Sequence, residues 1–276
     1  MKTEHIKGVG NIYTIEKPFD EALGLLNQKN AKLVSSRDLV YGRIQTGQNS
    51  DLSQYGSYTR ESPIYSKEAS LLVLESPLQN MKLAKQVVMA NMKGDYFKLE
   101  DNKLFKEHLN QAEKDLKKAP EKRKVLILPS DENFDISRTQ NFDFARGLFK
   151  DQTELYLKFL ENSKYKINSI KFYPVLKEAI NKSETPIITE LWLYGLGSGG
   201  GRSGLLGDYR DLDFNYRVRG VGLRSREATE PLQKIARNYS QRELERYSKI
   251  LEEVKSGKLP NSKLEKVLGF FEKLKQ

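Results

Sequence analysis

Residues 192–226 read WLYGLGSGGGRSGLLGDYRDLDFNYRVRGVGLRSR, and the rest of the chain is interpreted around this stretch. It holds nine glycines and six arginines, and no lysine occurs from Ser183 to Gln233. Glycines let backbone N–H groups approach a ligand closely. Arginine binds phosphate or carboxylate through two parallel hydrogen bonds, whereas lysine acts as a point charge. The stretch is therefore predicted to carry the binding site, with the preceding residues as its frame.

Arginine and lysine are segregated along the chain. Eleven of the 15 arginines lie in three lysine-free windows, 33–66, 125–149 and 183–233, whereas all 32 lysines lie elsewhere. A solvated basic surface would mix the two residue types, so we predict that the windows converge on one anion-binding cleft. The alternative is that buried or interface backbone excludes lysine and that the arginines form structural ion pairs. The candidate ligand- or phosphate-binding residues are Arg37, Arg43, Arg60, Trp192, Gly199, Gly200, Gly201, Arg202, Arg210, Arg217 and Arg219.

Known glycine-rich motifs do not account for the loop. Gly195, Gly197 and Gly200 satisfy the spacing G-x-G-x-x-G after a predicted strand. A dinucleotide-binding loop is followed directly by a helix, whereas more glycines and then a strand are predicted here. A P-loop is excluded because it requires a lysine, and a kinase is excluded because the chain has no H-R-D sequence. The alternative that the glycines form a flexible hairpin tip without a ligand stays open.

Two carboxylates, Asp211 and Asp213, are the candidate catalytic residues. Residues 211–219 alternate apolar and polar side chains, which predicts a strand with both aspartates, Arg217 and Arg219 on one face. Such carboxylates can hold Mg²⁺ against a phosphate, so Mg²⁺ is the candidate cofactor for phosphodiester chemistry. The alternative, which we favour, is that they pair with the arginines.

The composition restricts the class of protein. The 276 residues are 38% hydrophobic and 30% charged, which is typical of a folded globular protein. The absence of cysteine excludes disulfides and cysteine-based metal sites, and two histidines are too few for a multi-histidine site. The N-terminal MKTEHIKG lacks an apolar signal sequence, and the apolar runs are too short to span a bilayer. A cytoplasmic protein without a membrane partner is therefore expected.

The apolar periodicity predicts an α/β or α+β fold, with a mixed β-sheet flanked by helices. Residues 1–229 are predicted to form this mixed core, with a candidate lobe boundary near 119–124 that a simple helix-to-strand loop also explains. Residues 35–62 are interpreted either as an ordinary surface loop between strands or as a second wall of the site. Residues 230–276 are predicted to form a C-terminal antiparallel helical hairpin. Strands are predicted at 11–15, 32–34, 64–66, 71–74, 125–128, 169–173, 187–194 and 211–219, and helices at 18–26, 77–92, 102–118, 151–161 and 175–181.

The formal net charge of +10 indicates an anionic partner, although a lysine-coated soluble surface would give the same charge. Our first hypothesis is a nucleic-acid-binding protein, in which arginines contact phosphates and Trp192 and tyrosines stack on bases, with Asp-based phosphodiester chemistry as an added activity. The second is an enzyme or binding protein for a small ligand that carries phosphate or carboxylate. The third is a structural or assembly protein that forms a homo-oligomer through the C-terminal helices. Whether the protein is an enzyme stays open.

Overall fold

The computed structural model describes residues 1–129, 133–197, 203–208, 212 and 216–222, which are called the described residues below. The helical hairpin predicted for 230–276 lies outside them and stays a prediction. The predicted mixed α/β architecture, a mixed sheet flanked by helices, is confirmed in the described residues. The described helices are α1 (Phe19–Gln28), α2 (Ser36–Thr46), α3 (Asp51–Gln54), α4 (Met81–Asn91), α5 (Lys103–Asp115), α6 (Phe142–Phe149), α7 (Thr153–Glu161) and α8 (Lys177–Lys182).

The strands form two sheets. The described strands are β1 (Lys2–Ile6), β2 (Gly10–Glu16), β3 (Ala31–Leu33), β4 (Ser57–Tyr58), β5 (Ser62–Tyr65), β6 (Ser70–Val73), β7 (Val125–Ile127), β8 (Phe134–Asp135), β9 (Ile170–Tyr173), β10 (Ile187–Ile188), β11 (Trp192–Leu193), β12 (Ser203–Leu206) and β13 (Arg217–Gly222). Nine of them form a mixed sheet in the order β1-β2-β13-β4-β11-β12-β9-β8, in which β3 also pairs with β13. The other four form an antiparallel sheet in the order β10-β5-β6-β7.

The first helix forms as its sequence predicts. Pro18 precedes α1, where its fixed φ and missing N–H cost nothing. Four apolar side chains at helical spacing are buried, namely Phe19, Ala22, Leu23 and Leu26. Removing a side chain such as Phe or Leu from water stabilises the fold by roughly 1.5–3 kcal/mol. The hairpin of β5 and β6, predicted at 64–66 and 71–74, is also confirmed.

The segment 35–62 is more ordered than predicted, because it contains α2, α3 and β4. Serine hydroxyls start both helices: Ser35 accepts a hydrogen bond from the N–H of Asp38, and Ser50 accepts one from the N–H of Ser53. These side chains satisfy N–H groups that have no partner inside a helix. The interpretation as a surface loop was wrong because α2 has a mixed face, with Arg43 and Ser36 buried beside its leucine and valine.

The strand predicted at 187–194 is divided between the two sheets. β10 pairs with β5 of the smaller sheet, whereas β11 pairs with β4 and β12 of the larger one. The apolar run could not show this crossing, because residues on both sides of it are buried. Within the strand predicted at 211–219, the described strand β13 begins at Arg217, and Leu212 lies in a turn. The carbonyl of Leu212 accepts a hydrogen bond from the N–H of Phe19 at 2.9 Å.

The stretch 119–124 is a helix-to-strand connection in the described residues. It contains one turn of 3-10 helix, Pro120–Lys122, between α5 and β7. Asp115, at the end of α5, is fully buried and accepts hydrogen bonds from the N–H groups of Lys124 and Val125 at 2.6 and 3.1 Å. Although burial opposes ionisation, hydrogen bonds from Lys118 and from these N–H groups lower the pKa of Asp115 to about 2.

A polar network is buried where the chain crosses between the sheets. Glu190 is 0% exposed, and its Oε1 accepts a hydrogen bond from Ser76 Oγ at 3.0 Å. Ser76 Oγ lies 2.5 Å from Ser62 Oγ. The other carboxylate oxygen of Glu190, Oε2, is buried without a hydrogen-bond partner among the described residues. Burial raises the pKa of Glu190 well above its usual range, and the nearby carboxylate of Glu61 adds to this effect.

Candidate functional site

Arg219 lies in β13, and its side chain is fully buried. Its guanidinium donates hydrogen bonds to the carbonyl oxygens of Gly56 at 2.9 Å and Asp51 at 3.2 Å. It also donates to Asp51 Oδ2 at 3.0 Å. Burial and the charge of nearby Arg43 lower the pKa of Arg219 to about 10, although the contact with Asp51 raises it. Arg219 therefore fastens the segment 51–56 to β13.

Arg43, in α2, also fastens the segment 51–56. It is 1% exposed and donates hydrogen bonds at 2.8 Å to the carbonyl of Leu52, the hydroxyl of Tyr156 and the carbonyl of Tyr194. Two further carbonyl acceptors are Tyr55 at 3.2 Å and Leu193 at 3.4 Å. The lysine-free windows 33–66 and 183–233 thus meet, as predicted, but the guanidinium groups at the meeting point bind carbonyls of the chain itself.

Asp51 lies among three cations on this side of the sheet. It is paired with Arg219 at 3.0 Å and with Arg217 at 3.6 Å, and Lys2 lies 3.9 Å away. The side chain of Asp51 is 21% exposed, so the pairs with the two arginines are only partly screened by water. Sequence reasoning missed Asp51, which is one of three acids in the window 33–66.

Arg217 and Tyr55 form a surface that we call the tyrosine–arginine face. The guanidinium of Arg217 lies 3.5 Å from the centre of the Tyr55 ring, a cation–π contact, and its Nε donates to Glu16 at 2.8 Å. Tyr55 is 48% exposed. A large amphipathic ring is therefore presented to solvent next to a fixed cation.

Trp192 packs next to this face, on the backbone of Gly56. It is 6% exposed, and its ring contacts Tyr58 at 4.9 Å and Tyr216 at 5.7 Å, both edge-on. A Cβ at Gly56 would lie only 2.5 Å from the indole. The indole thus packs directly on the backbone of Gly56, and the ring predicted to stack on bases is occupied by contacts within the protein.

The first glycines of the Gly-rich stretch also serve close packing. A Cβ at Gly195 would lie 2.4 Å from the carbonyl carbon of Tyr55 and 2.5 Å from the carbonyl oxygen of Gln54. The N–H groups of Leu196 and Gly197 donate to the carbonyls of Ser53 at 2.7 Å and Gln54 at 2.9 Å. These glycines let the backbone approach another part of the chain, where the sequence predicted approach to a ligand.

The remaining described arginines of the windows pair with acids. Arg37 donates to both oxygens of Asp151 at 2.7 and 2.9 Å, and this hydrogen bonding raises the pKa of Arg37. Arg60 lies 3.4 Å from Glu75. In the window 125–149, Arg138 lies 3.6 Å from Asp135, and Arg146 pairs with Glu121. These contacts match the alternative that the arginines form structural ion pairs.

Several predicted site residues lie outside the described residues, namely Gly199, Gly200, Gly201, Arg202, Arg210, Asp211 and Asp213. Their roles, and Mg²⁺ as a cofactor, stay predictions. Within the described ranges, no three histidine, aspartate or glutamate side chains are grouped so as to hold a metal ion. No helix of the described part combines the length and apolar character needed to cross a bilayer.

Sequence reasoning placed Tyr55 in a wall of the site but did not single out Tyr216. An exposed tyrosine at a strand start cannot be told from a buried one by its spacing, because the alternation of 211–219 assigned Tyr216 to the core face. Tyr216 lies just before β13, which begins at Arg217; its ring packs edge-on against Trp192, and 37% of the residue is exposed.

No protein-family model matches this sequence, and no curated protein does. A solved structure is similar, one reported as the accommodation of massive sequence variation in Nanoarchaeota by the C-type lectin fold. The TM-score is 0.53 and the sequence identity is 14%, and the match covers 81% of this chain and 98% of that chain.

The prediction of a nucleic-acid-binding protein is wrong. The similarity is to a C-type lectin fold, and it brings no sign of nucleic-acid binding. The physical basis of the prediction also fails at its centre, because Arg43 and Arg219 are buried and bind carbonyl groups that no phosphate can displace without loss of buried hydrogen bonds. What the chain shares with its structural neighbour is its architecture, which is similar to a C-type lectin fold.

Proposed function

We propose that the protein is a recognition module that binds a partner protein through the tyrosine–arginine face. The observation that carries the proposal is the exposed ring of Tyr55, held against the stacked guanidinium of Arg217. Tyrosine and arginine are enriched among the residues that contribute most to protein–protein binding. The tyrosine ring offers a large contact area at a low cost in side-chain entropy, and its hydroxyl can hydrogen-bond at the rim.

Buried residues hold the tyrosine–arginine face in place, and this order favours binding of a partner. Arg43 and Arg219 fasten the segment 51–56, and Trp192 packs on Gly56 and against Tyr216. A face that is already ordered loses little conformational entropy when a partner binds, which leaves more of the contact energy as affinity. Arg43 and Arg219 thus act as positioning residues for Tyr55.

The fold of the structural neighbour supports this proposal. It is reported to accommodate massive sequence variation within the C-type lectin fold. A framework that tolerates exchange of its side chains suits a module whose surface sets the choice of partner, because recognition depends on local surface chemistry while the fold supplies rigidity.

Photo-crosslinking tests the proposal. Benzoylphenylalanine is introduced at Tyr55 in the full chain, and at Tyr165 as a matched control, since Tyr165 is 36% exposed and also has a cation, Lys164, 4.8 Å from its ring centre. We expect a distinct crosslinked protein from position 55 that is absent from position 165. Unlabelled protein competes for that partner, and the variant Tyr55→Ser competes at least about tenfold less well, the effect of losing one binding hot spot.

The contrary result is equally clear. If position 55 yields no crosslinked protein, or the same products as position 165, the tyrosine–arginine face is an ordinary surface and the proposal fails.

A further inference from the structure

Helix α4 carries an exposed stripe of two lysines and two methionines, Lys82, Lys85, Met89 and Met92, which we call the α4 stripe. At 100° per residue these positions fall within an arc of about 80°, over a length of about 15 Å. The opposite face, which includes Ala84, Val87 and Val88, is buried in the core. The stripe is therefore not the core-facing side of an amphipathic helix, which is already covered.

The two methionines are the unusual part of the stripe. Met89 is 58% exposed and Met92 is 69% exposed. Methionine is enriched at protein interfaces, and its flexible, polarisable side chain adapts to partners of different shape. The exposed positions within the other long helix on this part of the chain, α5, are polar instead: Lys103, Lys106, Glu107, Asn110, Glu113 and Lys114. The residue that follows α5, Leu116, is 56% exposed, just as Met92 follows α4.

The charge of the stripe is not balanced locally. Residues 77–94 contain Lys82, Lys85 and Lys93 and no aspartate or glutamate. Among the described residues no salt bridge joins these lysines to an acid. On α5, by contrast, acids and lysines alternate over the exposed face. The α4 stripe thus combines an apolar patch with a net positive rim.

We infer that the α4 stripe is a docking surface for an acidic protein segment, one that sets an apolar side chain against Met89 and Met92 and carboxylates against Lys82 and Lys85. A second copy of this chain is a poor occupant, because each copy carries a formal net charge of +10 and the two would repel. A lipid surface is also a poor occupant, since the stripe lacks the aromatic and leucine side chains with which interfacial helices insert. This surface is separate in sequence from the tyrosine–arginine face and does not depend on its function.

The test uses the full chain and a fluorescein-labelled helical peptide made of glutamate and leucine, with binding followed by fluorescence anisotropy. We expect binding that weakens with added salt. The variant Lys82→Glu with Lys85→Glu, and separately Met89→Ser with Met92→Ser, should each weaken it by about fivefold or more, the effect of losing two exposed contacts.

Matched controls remove charge and apolar surface elsewhere. Lys106→Glu with Lys114→Glu changes the net charge equally on α5, and Leu116→Ser with Leu176→Ser removes two side chains that are 56% and 58% exposed. Both should bind the peptide within about twofold of the natural chain.

Three results would overturn the inference. In the first, the peptide fails to bind the natural chain. In the second, the α5 charge variant loses as much affinity as the α4 charge variant, which would show general attraction to a basic protein. In the third, vesicles of phosphatidylserine and phosphatidylcholine bind with the same dependence on the α4 stripe while the peptide does not, which would assign the surface to a membrane.

Discussion

Replacing Arg219 by methionine tests whether the buried arginines hold the segment 51–56 in place. Methionine keeps most of the side-chain volume but removes every donor. The carbonyls of Gly56 and Asp51 lose donors at 2.9 and 3.2 Å, and Asp51 Oδ2 loses one at 3.0 Å. The carbonyl of Tyr55 loses only a weak bond at 3.4 Å, because Arg43 still donates to it at 3.2 Å.

The magnitude follows from these lost partners. A buried acceptor without a donor costs about 1–3 kcal/mol, and breaking a buried ion pair costs about 3–5 kcal/mol. Because Asp51 is 21% exposed and keeps Arg217 nearby, its share is the smaller, and we expect a total loss of about 3–5 kcal/mol in the free energy of unfolding. Arg219→Lys should recover little of it, since one ammonium group cannot reach acceptors that a guanidinium spans.

The assay is urea unfolding of the full chain followed by tryptophan fluorescence, since Trp192 packs on Gly56 and reports on this region. The control is Arg217→Met, in which a side chain that is 22% exposed is lost at an expected cost of about 1 kcal/mol or less. A loss below about 1 kcal/mol for Arg219→Met would refute the reasoning, because it would mean that the buried guanidinium contributes no more than an exposed one.

The other predictions concern close packing and pH. Gly56→Ala should cost about 1–3 kcal/mol of stability in the same assay, because its Cβ would lie 2.5 Å from the indole. Gly24→Ala in α1 should instead stabilise by about 0.5–1 kcal/mol, since its Cβ would meet only a methionine methyl at 3.7 Å. Folding lowers the pKa of Asp115 from 3.8 to about 2, so its carboxylate contributes about 2 kcal/mol to the free energy of unfolding. This contribution is present above about pH 4 and is lost as the pH falls through about 2. In urea unfolding measured over a range of pH, Asp115→Asn should remove this loss of stability in acid. The pKa of Glu190 is raised above its usual 4.5, so its contribution is present below about pH 4.5 and declines as the pH rises toward the folded pKa; Glu190→Gln should abolish that decline, whereas the exposed Glu75→Gln should leave it unchanged.

Part of the fold was predictable because it depends on local patterns. The burial of α1 follows from apolar residues at helical spacing, and the hairpin of β5 and β6 follows from two short apolar runs. The helix α2 was not predictable in this way, because its buried face contains Arg43 and Ser36, whose partners are supplied by segments far along the chain.

The candidate site shows the same division. The segregation of arginine from lysine correctly indicated regions where guanidinium geometry matters, and two of the windows do meet. It could not show that the partners are backbone carbonyls, since any residue can supply one. The role of Tyr55 depended on exposure, which alternation alone assigned wrongly for Tyr216.

By itself the sequence determined α1 and the hairpin of β5 and β6, because propensity and periodicity act over a few residues. It also excluded cysteine chemistry and marked windows where arginine occurs without lysine. Only the tertiary structure decided that 187–194 crosses between two sheets, that Asp51 lies among three cations, and that Arg43 and Arg219 are buried. The physical reason is that a charged donor needs an acceptor once it leaves water, and most of the acceptors here come from residues more than 100 positions away, at distances that only the folded chain sets.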